Sequence, residues 1–401
     1  MNIYAFIIRF TSLFNRKAKL WVKGRKIQHI PDLVTEKVVW MHCSSLGEFE
    51  QGRPIFEKLK KYRPDYIYVL TFFSPSGHNA LINYKIADYI LYLPTDLPKN
   101  AKKFIASINP EISIFVKYDF WYNYLKILND TKHTVIFISV LLNKNHRLFK
   151  TFNKIILFQL KRVTKIFTQD EATLDILKSH GFDNVEKAGD SRIDRVIEIA
   201  ETKYTDSIIE GFESNEKKVL ICGSTWEKDI DILSGIKRKL IEKYNLIIAP
   251  HELSDKQINY ISQKFSGYNI HFYSKGIISI KDKVDILIVD KIGILSRIYR
   301  YAYISYIGGG FGKSIHNTLE PAAYIIPVIF GPNYKRFTEA THLILKKSFF
   351  SIDDGNQLEE ILLSLDNKDF YNEVQKGIRN FLEKNKNASL QIVKYLENQM
   401  L

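Results

Sequence analysis

The chain has 401 residues, 45% of them apolar and 25% charged, which is the balance of a globular protein and excludes the disordered and fibrous classes. One hydrophobic core seldom serves so long a chain, so we expect two domains. The net charge of +14, from 58 Lys and Arg against 44 Asp and Glu, favours an anionic partner, and because no nucleic-acid-binding motif is present we expect a membrane surface or a phosphorylated substrate instead.

The N-terminal segment is apolar and then basic. Residues 1–14 carry one charge, Arg9, and are followed by six cations, at Arg16, Lys17, Lys19, Lys23, Arg25 and Lys26. The segment is too short to span a bilayer and lacks the cleavage site of a signal peptide. We therefore predict that residues 1–28 form a membrane-associated helix lying on an anionic surface. The alternative is an apolar helix docked on the protein's own core.

Buried strands alternate with helical stretches through the first half of the chain. Six strands are predicted, at Val38–His42, Tyr66–Phe73, Asp88–Pro94, Ile112–Val116, Thr134–Val140 and Lys165–Gln169. The alternation indicates βαβ units and a parallel sheet, so residues 29–190 are predicted to form a Rossmann-like domain. Hydroxyl-rich turns at residues 43–48 and 71–77 follow the first two strands, at the carboxyl edge of the sheet where ligands bind.

The same pattern restarts in the second half. Strands are predicted at Lys218–Cys222, Leu246–Ala249, Val284–Val289, Tyr303–Ile307 and Pro327–Phe330. Residues 191–401 are thus predicted to form a second Rossmann-like domain, connected to the first near Gly189–Arg195, and the last helix is a candidate to return to the N-terminal domain. Two such domains, without a dinucleotide fingerprint in the first, indicate an enzyme of the GT-B glycosyltransferase kind.

A glycine-rich loop carries the most specific polar residues of the second half. Gly308–Gly312 is predicted to let the backbone approach a ligand, although three consecutive glycines are as often a tight turn. A helix predicted at Asn317–Tyr324 follows, and its N-terminus attracts anions. His316, Asn317 and Glu320 face the same place, where an amide and a carboxylate can bind the two hydroxyls of a ribose. The loop therefore predicts a nucleotide site.

Candidate phosphate contacts lie in the same half. Ser224 and Thr225 stand at a predicted helix start, where they cap the helix or bind phosphate, and Lys313 is a candidate cation in the glycine loop. The two cysteines lie far apart in the sequence, which suggests neither a zinc site nor a disulfide framework. With no metal-binding motif in view, we expect helix N-termini and cations to stabilise a leaving phosphate.

Six short motifs stand in order along nearly the whole chain. They are His42-Cys-Ser-Ser-Leu-Gly-Glu48, Thr71-Phe-Phe-Ser-Pro-Ser-Gly77, Leu93-Pro-Thr-Asp96, Gly189-Asp-Ser-Arg-Ile-Asp194, Gly223-Ser-Thr225 and His316-Asn-Thr-Leu-Glu-Pro-Ala322. In this order they resemble the Kdo transferases, glycosyltransferase family 30, which attach 3-deoxy-D-manno-octulosonic acid (Kdo) to a lipid A precursor. The chain departs from the family's sequence at Tyr118–Tyr122, at Ser139–Asn143 and after Pro250.

The resemblance implies an α/β fold of the GT-B type, in which two Rossmann-like domains face a cleft. It also implies transfer of Kdo from CMP-Kdo to lipid IVA, a phosphorylated and acylated lipid A precursor, without a metal or other cofactor, at the cytoplasmic face of the inner membrane of Gram-negative bacteria. CMP-Kdo contacts are then expected from the C-terminal domain, at Gly223, Ser224, Thr225, Pro250, His251, Gly309, Gly310, Gly312, Lys313, His316, Asn317 and Glu320. Acceptor contacts are expected from the N-terminal domain, at Ser44, Ser45, Gly47, Ser74, Ser76 and Gly77.

Glu48 is the predicted general base. The reaction needs a group that deprotonates the acceptor hydroxyl while CMP leaves the anomeric carbon, and the resemblance assigns this role to Glu48. An in-line displacement with one base inverts the anomeric configuration. The alternative is that Glu48 caps or salt-bridges the helix that it begins. Two other classes of protein stay open: another GT-B nucleotide-sugar enzyme, such as a UDP-sugar transferase or epimerase, and a non-catalytic protein that binds a membrane surface.

Overall fold

The computed structural model describes residues 8, 10–150, 153–212, 217–277 and 283–400. Within them the strands form two parallel sheets of seven strands each. The chain divides into two units, each built on one sheet: unit 1 is Met1–Asp194 with Asn385–Leu401, and unit 2 is Arg195–Lys384. The predicted pair of Rossmann-like parallel sheets is therefore confirmed. Residues 1–7 and 9 of the predicted N-terminal helix lie outside the described residues.

The strands of unit 1 are β1 (Val38–Cys43), β2 (Ile67–Phe72), β3 (Tyr89–Tyr92), β4 (Ile112–Val116), β5 (Thr134–Val140), β6 (Lys165–Thr168) and β7 (Val185–Lys187). Their order in the sheet is β3-β2-β1-β4-β5-β6-β7. Every residue of β1 and β4 is buried, because helices cover both faces of a parallel sheet. The strand order reverses between β1 and β4, so the loops after these two strands meet where ligands bind in such sheets.

The strands of unit 2 are β8 (Lys218–Thr225), β9 (Tyr244–Pro250), β10 (Ile270–Phe272), β11 (Ile286–Ile288), β12 (Ile304–Ile307), β13 (Val328–Phe330) and β14 (Phe349–Ser351). Their order is β10-β11-β9-β8-β12-β13-β14. Here the order reverses between β8 and β12, which pair along Leu220–Gly223 and Ile304–Ile307. The glycine loop follows β12, so it lies at the corresponding place of the second sheet.

Helices connect these strands in both units. In chain order they are α1 (Arg16–Ile27), α2 (Leu46–Tyr62), α3 (Pro75–Leu81), α4 (Pro98–Ile108), α5 (Tyr122–Asp130), α6 (Lys154–Leu160), α7 (Glu171–Ser179), α8 (Ser191–Glu201), α9 (Ser207–Phe212), α10 (Glu227–Gly235), α11 (Lys237–Lys243), α12 (Asp255–Lys264), α13 (Leu295–Ile298), α14 (Leu319–Ala322), α15 (Thr338–Leu345), α16 (Gly355–Ser364), α17 (Lys368–Asn385) and α18 (Ala388–Glu397). In the described part of the chain no helix is long and apolar enough to cross a bilayer.

The chain leaves unit 1 within α8 and returns to it with α18. Asp194 of α8 accepts the backbone N–H groups of Asn387 and Ser389 at 2.5 and 2.6 Å, so its carboxylate satisfies the free donors at the start of α18. Val393 and Leu396 of α18 are buried in one of the two hydrophobic clusters of unit 1. The last helix therefore completes the core of the N-terminal unit.

Three strands were missed in the sequence, and one helix was predicted too long. The missed strands β7, β10 and β14 have three residues each and lie at sheet edges, so they are too short to leave a periodic pattern. The helix predicted at Asn317–Tyr324 is only α14. It starts late because Asn317 Oδ1 accepts the backbone N–H of Leu319 at 3.1 Å, and it ends early because Ile325 has φ of 60° and turns the chain.

The helix α1 docks on unit 1. Trp21 is buried and meets the ring of Phe73 edge to face at 5.5 Å. The Arg25 guanidinium lies 3.9 Å from the Trp21 ring centre and donates to the carbonyl oxygens of Phe73 and Leu93 at 2.7 and 2.8 Å. Residues 16–27 therefore pack on the rest of the N-terminal unit, whereas membrane association of the N-terminal segment stays a prediction. The side chains of Phe10, Leu13 and Phe14 are 63%, 72% and 84% exposed.

Candidate active site

Glu48 lies in the first turn of α2, just after β1. Its Oε2 accepts the backbone N–H of Ser45 at 2.9 Å, and the Ser45 hydroxyl lies 3.3 Å from the same oxygen. The backbone N–H of Glu48 donates to Ser45 Oγ at 3.4 Å, which completes a capping box. Gly47, between them, is exposed. The capping role considered as the alternative for Glu48 is therefore present, and its role as the base stays a prediction.

Asp119 is a second carboxyl group at this place. It follows β4, the sheet neighbour of β1, and it is buried. Ser44 Oγ donates to Asp119 Oδ1 at 2.5 Å. Burial and the negative charge of Glu48 raise the pKa of Asp119 to about 8, whereas the pKa of Glu48 is raised by burial but held down by Lys117 and by backbone N–H groups. Asp119 is therefore the member of this pair that keeps a proton near neutral pH.

His42 faces Asp119 without forming an ion pair. Its Nε2 lies 3.6 Å from Asp119 Oδ2, but burial and the charge of Arg25 lower the pKa of His42 to about 3, so the ring is neutral. The Nδ1 of His42 lies 2.8 Å from Thr71 Oγ1, which accepts the indole N–H of Trp40 at 2.9 Å. The Thr71 hydroxyl also donates to the carbonyl oxygen of Met41 at 3.5 Å, so one threonine side chain connects His42, Trp40 and the backbone of β1.

A cavity of about 530 Å³ opens beside Asp119. Its lining is mainly aromatic with one guanidinium, and it comprises Ser44, Phe73, Tyr118, Asp119, Phe120, Trp121, His146, Arg147, Leu148, Asn153 and Ile156. The rings of Phe73 and Trp121 stack with their centres 4.9 Å apart. Flat aromatic walls pack against sugar rings, and a guanidinium binds phosphate, so the cavity suits a phosphorylated glycolipid headgroup.

Of the other predicted acceptor contacts, one lies on the cavity wall and three have local structural roles. Ser44 lies on the cavity wall, whereas the hydroxyls of Ser74 and Ser76 hydrogen-bond to each other at 2.6 Å. Gly77 is buried, and a Cβ at this position would lie 2.5 Å from the ring of Phe72. This glycine is therefore needed for the packing of α3 on β2. Contact of these residues with an acceptor stays a prediction.

We expect Asp119→Asn to change how stability depends on pH. The pKa of Asp119 is raised in the native state, so between about pH 4 and pH 8 the native protein holds a proton that the unfolded chain has lost. Stability of the wild type therefore falls over this range, by up to about 1.4 kcal/mol per pH unit from this group. Asparagine keeps the shape without titrating. Denaturant unfolding should show the variant gaining stability relative to the wild type as pH rises, and parallel curves would contradict the assignment.

Asp229 organises the glycine loop of unit 2. It lies in the first turn of α10 and is buried. Its Oδ2 accepts the backbone N–H groups of Trp226 and Gly309, both at 2.9 Å, and its Oδ1 accepts the Tyr306 hydroxyl at 2.8 Å. One carboxylate thus joins the start of α10 to the end of β12 and to the loop that follows.

Three aromatic rings stack next to this carboxylate. The centres of the Trp226 and His251 rings are 4.5 Å apart, and those of His251 and His316 are 4.3 Å apart. Trp226 Nε1 donates to His316 Nε2 at 2.9 Å. Burial and the neighbouring His251 lower the pKa of His316 to about 4, so the ring is neutral at pH 7. Because an indole N–H only donates, His316 carries its own proton on Nδ1.

A second cavity, of about 670 Å³, lies beside this stack. The predicted CMP-Kdo contacts on its walls are Gly309, Gly312, Lys313 and His316. Trp226 and Asp229, which the sequence prediction did not include, also line it. The cavity therefore brings four of the predicted nucleotide contacts together with nine residues that were not predicted, Trp226 and Asp229 among them.

The other predicted CMP-Kdo contacts lie off these walls, at Gly223, Ser224, Thr225, Pro250, His251, Gly310, Asn317 and Glu320. Thr225 is buried. A Cβ at Gly309 would lie 2.6 Å from Ser314 O, and one at Gly310 would lie 2.6 Å from the backbone of Gly331. The protein's own tight packing thus accounts for these glycines, which was the alternative considered for the loop.

Asn317 and Glu320 form a pair, as their spacing indicated. Asn317 Nδ2 donates to Glu320 Oε1 at 3.0 Å, which orients the carboxylate. Among the described residues, no group of three His, Cys, Asp or Glu side chains is placed to hold a metal ion. The expectation of a reaction without metal stays a prediction.

The two parallel sheets define the fold class of the protein, which is the GT-B type. In fold the chain is similar to the UDP-GlcNAc 2-epimerase of Neisseria meningitidis, solved bound to UDP-GlcNAc, with a TM-score of 0.63, 15% identity, and coverage of 90% of this chain and 100% of that one. The family model of 3-deoxy-D-manno-octulosonic-acid transferase (kdotransferase) matches residues 18–195. The N-terminal part of this chain is therefore similar to the Kdo transferases.

Two relatives extend the similarity beyond the N-terminal unit. The 3-deoxy-D-manno-octulosonic acid transferase of Rickettsia prowazekii is 24% identical, over 89% of this chain and 79% of its own length. A bifunctional glycosyltransferase/methyltransferase of Fusobacterium nucleatum is 24% identical over 96% of this chain. This chain spans 61% of the length of the Fusobacterium protein.

Proposed function

We propose that the protein transfers Kdo from CMP-Kdo to the lipid A precursor lipid IVA, with inversion at the anomeric carbon. The observation that carries the proposal is that the carboxyl groups of Glu48 and Asp119 follow neighbouring strands and interact electrostatically, and that Asp119 lines a cavity together with Arg147. Both carboxyl groups lie within the residues that match the family model. A general base has to be ionised before it takes a proton, and the charge of Lys117 favours the ionised form of Glu48.

In the proposed reaction, the acceptor headgroup binds in the cavity of unit 1 with its phosphate near Arg147. Glu48 takes the proton from the acceptor hydroxyl as that oxygen attacks the anomeric carbon of Kdo, and the bond to the CMP phosphate breaks. Asp119 stays protonated, so it does not repel the anionic substrates. Lys117 favours the ionised form of Glu48 before the proton moves.

CMP-Kdo is proposed to bind unit 2. Lys313 and the Nδ1–H of His316 are the proposed phosphate contacts, because Trp226 occupies the other nitrogen of His316. The Asn317 and Glu320 pair is proposed to bind the ribose hydroxyls. The lipid acceptor is embedded in a membrane. We propose that the exposed side chains of Phe10, Leu13 and Phe14 contact the cytoplasmic face of that membrane, the inner membrane.

We expect Glu320→Ala to weaken CMP binding by about 10- to 150-fold, because hydrogen bonds to a charged group contribute about 1.5–3 kcal/mol. Titration calorimetry with CMP measures the affinity directly. Asn317→Ala is the comparison, since it removes the bond that orients Glu320 and should give a smaller loss of affinity. Unchanged CMP affinity in Glu320→Ala would refute the ribose assignment.

The proposed donor is tested by measuring nucleotide release. Wild-type protein is incubated with lipid IVA and either CMP-Kdo, generated in place, or UDP-GlcNAc, and free nucleotide is followed by chromatography. Release of CMP that depends on the lipid supports the proposal. Turnover of UDP-GlcNAc, or epimerisation of its sugar, would instead support the alternative GT-B nucleotide-sugar enzyme, and no turnover of either would support a binding protein.

A further inference from the structure

Helix α6 has an unpartnered outer face in unit 1. Ile155 and Phe158 lie three residues apart, on one side of the helix, and are 59% and 60% exposed. The opposite side is in place against the core, where Leu160 is buried. The exposed pair is therefore not needed to attach the helix to the protein.

The charged residues of the chain around this helix are all basic. Between Asp130 and Asp170 there is no Asp or Glu, whereas eight residues are Lys or Arg: Lys132, Lys144, Arg147, Lys150, Lys154, Lys161, Arg162 and Lys165. Lys150, Lys154 and Lys161 are exposed, and no carboxylate of a described residue pairs with them. Arg162 pairs with Asp130 at 2.9 Å and also lies 5.6 Å from the Phe158 ring centre.

We propose that Ile155 and Phe158, with Lys150, Lys154, Lys161 and Arg162, form a membrane-docking surface, the α6 surface, whose partner is an anionic phospholipid bilayer. Exposed aromatic and aliphatic side chains enter the headgroup boundary, and the cations around them are attracted to anionic lipids. Residues 131–169 carry basic side chains and no acidic ones, so this stretch is complementary to a uniformly negative surface such as an anionic bilayer. A protein partner would be expected to present charges of both signs.

The position of the α6 surface fits a lipid substrate. Asn153 and Ile156, on the same helix and at its start, line the cavity that contains Ser44 and Asp119. Phe73, on another wall of that cavity, contacts Trp21 of α1. Helix α6 therefore borders the cavity, and α1 contacts one of the residues that line it. This placement, which rests on the proposed function, lets a lipid headgroup reach Asp119 while its acyl chains stay in the bilayer.

Sedimentation with vesicles that contain neither CMP-Kdo nor acceptor tests the docking surface separately from the reaction. Wild-type protein should bind vesicles of phosphatidylglycerol and phosphatidylethanolamine and release them at high salt. The double variant Lys154→Gln, Lys161→Gln should bind about 30-fold more weakly, at roughly one kcal/mol per cation. The double variant Ile155→Ser, Phe158→Ser should lose at least about tenfold in affinity.

Matched controls distinguish an effect of the α6 surface from the general effect of removing charged or apolar side chains elsewhere on the protein. Lys102→Gln, Lys103→Gln removes two exposed lysines from α4, and Leu363→Ser removes an apolar side chain of α16 that is 57% exposed. Both controls should bind vesicles like the wild type, and all variants should keep the wild-type rate on acceptor dispersed in detergent. Equal losses in variants and controls, unchanged binding of the α6 variants, or retention of the wild type on nucleic acid but not on anionic vesicles would overturn the proposal. Absence of transfer in detergent, with vesicle binding intact, would instead refute the proposed function.

Discussion

Replacing Glu48 by Gln is expected to slow transfer by about 100- to 10,000-fold, the range that a positioned general base contributes. Glutamine can still accept the backbone N–H of Ser45, so the capping box and the fold should persist. CMP binding should not change, because the proposed nucleotide contacts belong to unit 2. Steady-state rates, calorimetry with CMP and thermal unfolding of the same preparation measure the three quantities.

Ser45→Ala is the matched control for this experiment. It removes the hydroxyl that caps α2 but keeps the carboxylate of Glu48. We expect it to lower stability by about 1 kcal/mol and, since the base remains, to slow transfer far less than Glu48→Gln does, even if an acceptor contact of Ser45 is lost. If Ser45→Ala were as inactive as Glu48→Gln, the capping geometry rather than proton transfer would explain the loss. If Glu48→Gln kept most of its rate, Glu48 would have no part in the mechanism.

Asp229→Ala is expected to have the largest effect on stability. It leaves the N–H groups of Trp226 and Gly309 and the hydroxyl of Tyr306 without their acceptor. Each unsatisfied buried group costs about 1–3 kcal/mol, so the free energy of unfolding should fall by about 3 kcal/mol or more. The glycine loop should become more mobile as well, because the backbone N–H of Gly309 loses the carboxylate that accepts it. CMP binding should weaken as a result.

Asp229→Asn is the milder comparison. Its amide oxygen can accept the two N–H groups, and its amide nitrogen can donate to the Tyr306 oxygen, so most of the network can reform. Denaturant unfolding should rank the two variants, and hydrogen exchange of peptides from residues 307–314 should rise mainly in Asp229→Ala. Wild-type exchange in that variant would show that Asp229 does not hold the loop.

The sequence was informative where side chains follow a strand or turn at short range. The apolar runs predicted the two parallel sheets, and the spacing of Asn317 and Glu320 predicted that both side chains face one place, where they hydrogen-bond to each other at 3.0 Å. The sequence placed Glu48 at the start of a helix, although a capping box and a catalytic base can have the same local sequence. Sequence spacing therefore located Glu48 but could not assign its chemistry.

The missed residues depend on contacts between distant segments. Asp119 meets Ser44 from 75 positions away, because β4 lies beside β1 in the sheet. Asp229 meets Gly309 from 80 positions away, since β8 and β12 are neighbours. Strand order supplies both contacts, and it is set by packing of the whole sheet. One feature of the sequence could have indicated Asp119, namely its position directly after a buried strand. It lies within Tyr118–Tyr122, where the chain departs from the family's sequence.

The central claim is that this protein moves Kdo onto a lipid A precursor. The most direct test is mass spectrometry of lipid IVA after incubation with wild-type protein and CMP-Kdo, with Glu48→Gln in parallel. We predict a lipid heavier by one or more Kdo residues in the wild-type reaction and unmodified lipid in the variant. Unmodified lipid in the wild-type reaction, with CMP-Kdo intact and the protein folded, would contradict the account.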